Sequence, residues 1–104
     1  MAKGPETRVQ KKIQDGLKLA YPGSFFFKSH GGMYQASGLP DLMGTIQGIF
    51  IGIEVKTPEK KNNTTKLQED CIRKINKSGG IAFVAWSLDS ALEQLETRLS
   101  EYEE

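Results

Sequence analysis

Apolar positions recur along the chain with two different periods, and the changes of period mark out its elements. Val9, Ile13 and Leu17 recur every four residues behind Pro5, a residue suited to a first helical turn. Tyr21-Pro22-Gly23 stops the pattern, so a helix is expected over about 5–20. Residues 24–29, SFFFKS, are a short aromatic run followed by Gly31 and Gly32, which reads as a strand leading into a mobile loop from His30 to Gly38, a rim. Two more strand-like segments, 41–46 and 49–56, flank Gln47-Gly48, a pair that fits a tight hairpin connection and makes them antiparallel neighbours. Alternation along the second puts Ile49, Ile51, Ile53 and Val55 on one face and Phe50, Gly52, Glu54 and Lys56 on the other.

Residues 57–65 are a polar loop, after which Thr65 and Gln68 have the spacing of a capping box and Leu67, Cys71 and Ile75 mark one side of a helix. Gly79-Gly80 end it. Residues 81–86, IAFVAW, are nearly continuously apolar, as expected of a strand covered on both faces, and Leu88, Leu92, Leu95 and Leu99 trace a last amphipathic helix before a fraying tail, SEYEE. The predicted order is α-β-β-β-α-β-α around one mixed sheet, an α/β fold, with Phe25 to Phe27, Cys71 and Trp86 in the core.

At 104 residues and 38% hydrophobic, the chain suits a single domain, 1–104, with one core and neither repeats nor a linker. Its apolar stretches, Ile49 to Ile53 and 81–86, are far short of the roughly 20 residues of a membrane span, and MAKGPETRVQKK has no signal-peptide core. A soluble cytoplasmic protein without membrane contact is expected, and its one cysteine makes no internal disulfide. The net charge of +1 conceals a split: residues 1–80 carry 13 Lys and Arg against 7 acids, residues 81–104 only Arg98 against 6. The basic part would draw a polyanion to one face.

That part also contains the least expected strand residues. A carboxylate on a half-buried strand costs several kcal/mol unless compensated, and a divalent cation compensates it while favouring a second acid nearby. Asp41 is that second acid, because hairpin pairing sets the start of its strand opposite the end of the one carrying Glu54. Two carboxylates and a backbone carbonyl such as that of Val55 make the hard oxygen site that Mg²⁺ uses. Lys56 would hold or help deprotonate an attacking water and offset phosphate charge. The plainer alternatives are that Asp41 caps a turn after Pro40 and that Glu54 and Lys56 are the solvated face of an edge strand.

Pro40-Asp41 with Glu54-Val55-Lys56 resembles the PD-(D/E)XK nuclease motif. More narrowly, GLPDLMG, IEVKTP and KLQED resemble the virus-type replication-repair nuclease (VRR-NUC) group, over roughly residues 5–86. The resemblance implies a restriction-endonuclease-like core, with Asp41 and Glu54 as metal ligands, Lys56 as the catalytic lysine, Gln68 as a helical glutamine near the site and Glu6 as an acid of the first helix. Gln68 as a cap alone, and Glu6 as a first-turn acid favoured by the helix dipole, remain open beside those roles. Lys60, Lys61 and Lys66 are candidate phosphate contacts, and His30 is left out of the mechanism.

The expectation is therefore a Mg²⁺- or Mn²⁺-dependent DNA endonuclease in a bacterial or phage-infected cell, reading DNA structure rather than a long sequence. Stand-alone members of the group resemble junction-resolving enzymes, which implies branched DNA and a two-fold homodimer. The alternatives are a nickase or flap endonuclease within a replication or repair assembly, a non-catalytic DNA-binding subunit, and an unrelated domain with a fortuitous motif.

Overall fold

The computed structural model describes residues 4–29 and 38–102. The loop expected from His30 lies outside the described residues as far as 37, and so does the end of the expected fraying tail. The elements are α1 (Pro5–Ala20), β1 (Phe25–Lys28), β2 (Leu42–Ile46), β3 (Ile49–Val55), a 3-10 turn (Pro58–Lys60), α2 (Lys66–Lys77), β4 (Ile81–Ala85) and α3 (Leu88–Ser100). The predicted order holds.

The strands form one sheet in the order β1-β2-β3-β4, antiparallel from β1 to β3 and parallel between β3 and β4. Gln47 and Gly48 join β2 to β3 with φ of 50° and 83°, two successive left-handed residues whose twist suits a two-residue hairpin. That turn sets Ile46 opposite Ile49 and Leu42 opposite Ile53. The parallel β3/β4 pair needs a crossover, which α2 provides.

Helices α1 and α3 pack together against one face, where Ile13, Leu17, Ala91 and Leu95 meet Phe26, Leu42, Ile46, Ile51, Ile53 and Val55 in a single core. Helix α2 packs over β3 and β4 on the other face. Gly52 makes that approach possible: a Cβ there would stand 3.0 Å from Pro40 Cγ and 3.2 Å from Ile75 Cδ1. Strand β3 is consequently buried from Ile51 to Val55, both faces included. The reciprocal capping box of Thr65 and Gln68 starts α2. Gly79, with φ of 105°, ends it as Gly80 N–H donates to the Ile75 carbonyl at 3.0 Å.

Several expectations are corrected. Only Phe26 of the aromatic run joins the core; Phe25 is 63% exposed and Phe27 43%, because alternation turns them to the face that α2 leaves open over edge strand β1. Leu67 is 57% exposed, and α2 packs through Ile75, with Cys71 only partly buried. Trp86 is partly exposed instead of core. The start of the tail does not fray freely, since the Tyr102 hydroxyl donates to the Gly79 carbonyl at 2.8 Å. Among the described residues no helix is long and apolar enough to cross a membrane.

Candidate active site

The site forms where the β2/β3 ladder runs out. The last paired residues are Leu42 and Ile53, and one step further the Asp41 side chain replaces the backbone as partner, its Oδ2 accepting from the Val55 N–H at 2.8 Å. Pro40, fully buried, has no N–H to continue the ladder. On the other side Asp41 is fastened to the end of β1: Ser29 N–H donates to the Asp41 carbonyl at 2.8 Å and the Ser29 hydroxyl to the Pro40 carbonyl at 2.7 Å. Asp41 is thus clamped between two strands, with its carboxylate against the Val55 peptide.

Glu54 precedes that peptide and is 2% exposed. It shares its face with Gly52, the face that α2 covers, and the helix supplies its partner: Gln68 Nε2 donates to Glu54 Oε2 at 3.1 Å. The same amide accepts the Thr65 N–H through Oε1 at 2.9 Å, so Gln68 both caps α2 and holds Glu54. Lys56 follows at β3's end, its N–H donating to the Ala85 carbonyl at 3.0 Å. Its Nζ lies 3.7 Å from Glu54 Oε2, with the side chain 12% exposed. Glu54 Oε1 is buried and receives no hydrogen bond from any N–H or hydroxyl group of the described residues.

Burial pushes the Glu54 carboxyl up to about 8, reinforced by the neighbouring Asp41, which acts as a like charge and as a hydrogen-bond partner. Lys56 opposes the rise, and the charge of Glu6 adds to it least. Two acids crowded together, one with an idle buried oxygen, form an arrangement that added positive charge relaxes. A divalent cation would suit it, and Asp41, Glu54 and the Val55 carbonyl are the hard oxygen groups that could hold one. Among the described residues no group of three or more His, Cys, Asp or Glu side chains gathers as a metal cluster. Side-chain ligation would rest on Asp41 and Glu54, with Glu6 acting through its field.

The remaining candidates surround this centre unevenly. Lys60 and Lys61 are exposed at the 3-10 turn after β3, and Lys66 is exposed at the first turn of α2. Lys61 Nζ lies 4.8 Å from the centroid of the Trp86 ring. The sequence reading missed Trp86 because a tryptophan closing an apolar run reads as core, and no local signal shows that the run's last residue emerges at the sheet's end. His30 lies outside the described residues.

No family model and no curated protein matches the sequence. Its fold does have a solved counterpart: a structure described as a VRR_NUC domain protein is similar to the chain with a TM-score of 0.65 and 21% identity, over 93% of this chain and 89% of its own. The fold is that of a VRR-NUC domain. In this VRR-NUC fold the mixed sheet ends in the cluster of Asp41, Glu54, Lys56 and Gln68, supplied by β2, β3 and α2.

Proposed function

We propose that the protein is a Mg²⁺- or Mn²⁺-dependent endonuclease that hydrolyses phosphodiester bonds of branched DNA. The observation that carries this reading is Glu54: a carboxylate buried in mid-sheet, paired on one oxygen with Gln68, idle on the other, and set beside both Asp41 and Lys56. A group so placed is costly to a fold with no use for it, whereas it suits a protein that gathers cation and phosphate at one point.

A divalent cation held by Asp41, Glu54 and the Val55 carbonyl would supply Lewis acidity toward the phosphodiester. Asp41, clamped by Val55 and Ser29, keeps one carboxylate fixed. Gln68 holds the Glu54 carboxylate in orientation. Lys56 lies beside Glu54 and would donate hydrogen bonds to the attacking water and offset phosphate charge. In-line attack forms the water oxygen–phosphorus bond as the bond to the leaving oxygen breaks. The water's proton passes to solvent, and the leaving oxygen takes one up.

A two-fold homodimer would let two such sites cut opposed strands of a junction, and exposed Phe25 and Phe27 on edge strand β1 are an apolar surface such an interface would bury. The deciding experiment compares four-way junction, flap, single-stranded and linear duplex DNA with Mg²⁺, Mn²⁺ or EDTA, beside Lys56→Ala. Metal-dependent cutting of branched DNA that falls by roughly 10²-fold or more in Lys56→Ala is expected. Flap cutting without junction cutting would instead favour a flap endonuclease, and binding without any cutting a non-catalytic subunit.

A further inference from the structure

Trp86, the chain's one tryptophan, directly follows β4, whose last residue Ala85 pairs with Val55 and accepts the Lys56 N–H at 3.0 Å. The indole is therefore carried one residue from the strand end that positions the catalytic cluster. It stays outside the hydrophobic core and is partly exposed. Its backbone is fixed by buried Ser90 of α3, whose hydroxyl accepts the Trp86 N–H at 3.0 Å. What lies over the ring is the ammonium of Lys61, an exposed residue of the basic turn that also carries Lys60. A cation over a partly solvated ring is a weak, exchangeable cover.

We propose that Trp86 is a stacking platform for one unpaired nucleobase beside the scissile phosphate, and that Lys61 is its exchangeable cover. This rests on the nuclease reading and deepens it. Incoming DNA offers Lys61 a phosphate, a stronger partner for an ammonium than an indole face. As Lys61 moves to it, the ring is freed, and every base has a π-face that can take the vacated place. A base inside continuous duplex is already covered on both faces by its neighbours, so only a base splayed out at a flap, fork or branch can use the platform. Preference for branched DNA then arises from one rigid aromatic at the catalytic end of the sheet, without any base-edge hydrogen bond.

The single indole makes the idea directly measurable. The wild-type chain in EDTA is titrated with a splayed-arm flap and with a fully paired duplex of equal length, following indole emission while anisotropy of dye-labelled DNA reports binding. The flap is expected to quench the emission and the duplex to leave it nearly unchanged. Trp86→Ala is expected to weaken flap binding roughly tenfold and duplex binding less than twofold, with Trp86→Phe in between. Flap binding without quenching, or equal loss for flap and duplex, overturns the stacking role and leaves the nuclease reading standing. Failure to bind any DNA both in EDTA and with Ca²⁺ as a non-cleaving cation overturns both.

Discussion

Replacing Glu54 by glutamine tests the electrostatics of the site apart from its chemistry. In the unfolded chain this carboxyl titrates near its ordinary 4.5, and in the native protein it is held at about 8. Across that window the folded state keeps a proton the unfolded chain has lost. Stability is therefore full below 4.5 and declines as pH rises toward 8, where the loss levels off. At about 1.4 kcal/mol per pH unit, and allowing for partial ionisation near the upper limit, roughly 2 to 3 kcal/mol should disappear between pH 5.5 and 7.5. Glutamine has the same shape, can still accept from Gln68 and can donate toward Asp41, but it does not titrate. Urea unfolding of wild type and Glu54→Gln in EDTA at both pH values gives the comparison, because titrating groups remote from Glu54 cancel in the difference and what remains belongs to Glu54 and the Asp41 coupled to it. The variant should gain on the wild type by roughly 2 to 3 kcal/mol as pH rises. A difference that stays constant within roughly 0.5 kcal/mol, or one that moves the other way, would refute the assignment of a crowded, desolvated carboxyl at the centre of the site.

The same proton must leave before a cation can bind, so the Mg²⁺ concentration giving half-maximal binding in titration calorimetry should fall roughly tenfold per pH unit below about 8. An affinity independent of pH would count against Glu54 as a ligand. Gln68→Ala should cost roughly 1–2 kcal/mol in urea unfolding, because it removes half of the α2 capping box and the donor to Glu54 together. Gln68→Glu should preserve the cap while placing another negative charge beside Glu54, and so reduce cleavage more than stability. Gly44→Ala would drive a methyl group into the Phe25 carbonyl oxygen and the Phe26 backbone, atoms that cannot rotate aside. A loss of roughly 3 kcal/mol or more is expected in thermal unfolding followed by circular dichroism, as β1 and its Ser29 clamp on Asp41 are displaced.

Much of the centre was legible because it is built from local rules. A two-residue turn at Gln47-Gly48 fixes the β2/β3 register, and that register alone sets Asp41 one step beyond the Leu42/Ile53 pair, level with Glu54. Thr65 and Gln68 announce the start of α2 by spacing, and the double use of the Gln68 amide follows once the helix lies on β3. The exposed positions were read less well. Leu67, Phe25, Phe27 and Trp86 are large apolar residues in regular patterns, and pattern records periodicity without recording how far a covering element extends.

Alternation, turn chemistry and capping are short-range and act through the backbone, so the chain's own order of residues determined which segments are helix or strand and which side chains share a face. The depth of burial did not follow from them. Parallel pairing with β4 and the seating of α2 over Gly52 turn β3 from a half-covered strand into an enclosed one, and that enclosure lifts the Glu54 carboxyl toward 8 and idles one of its oxygens. The desolvation of a charge depends on everything packed around it, including segments remote in sequence, and only the assembled tertiary structure could decide it.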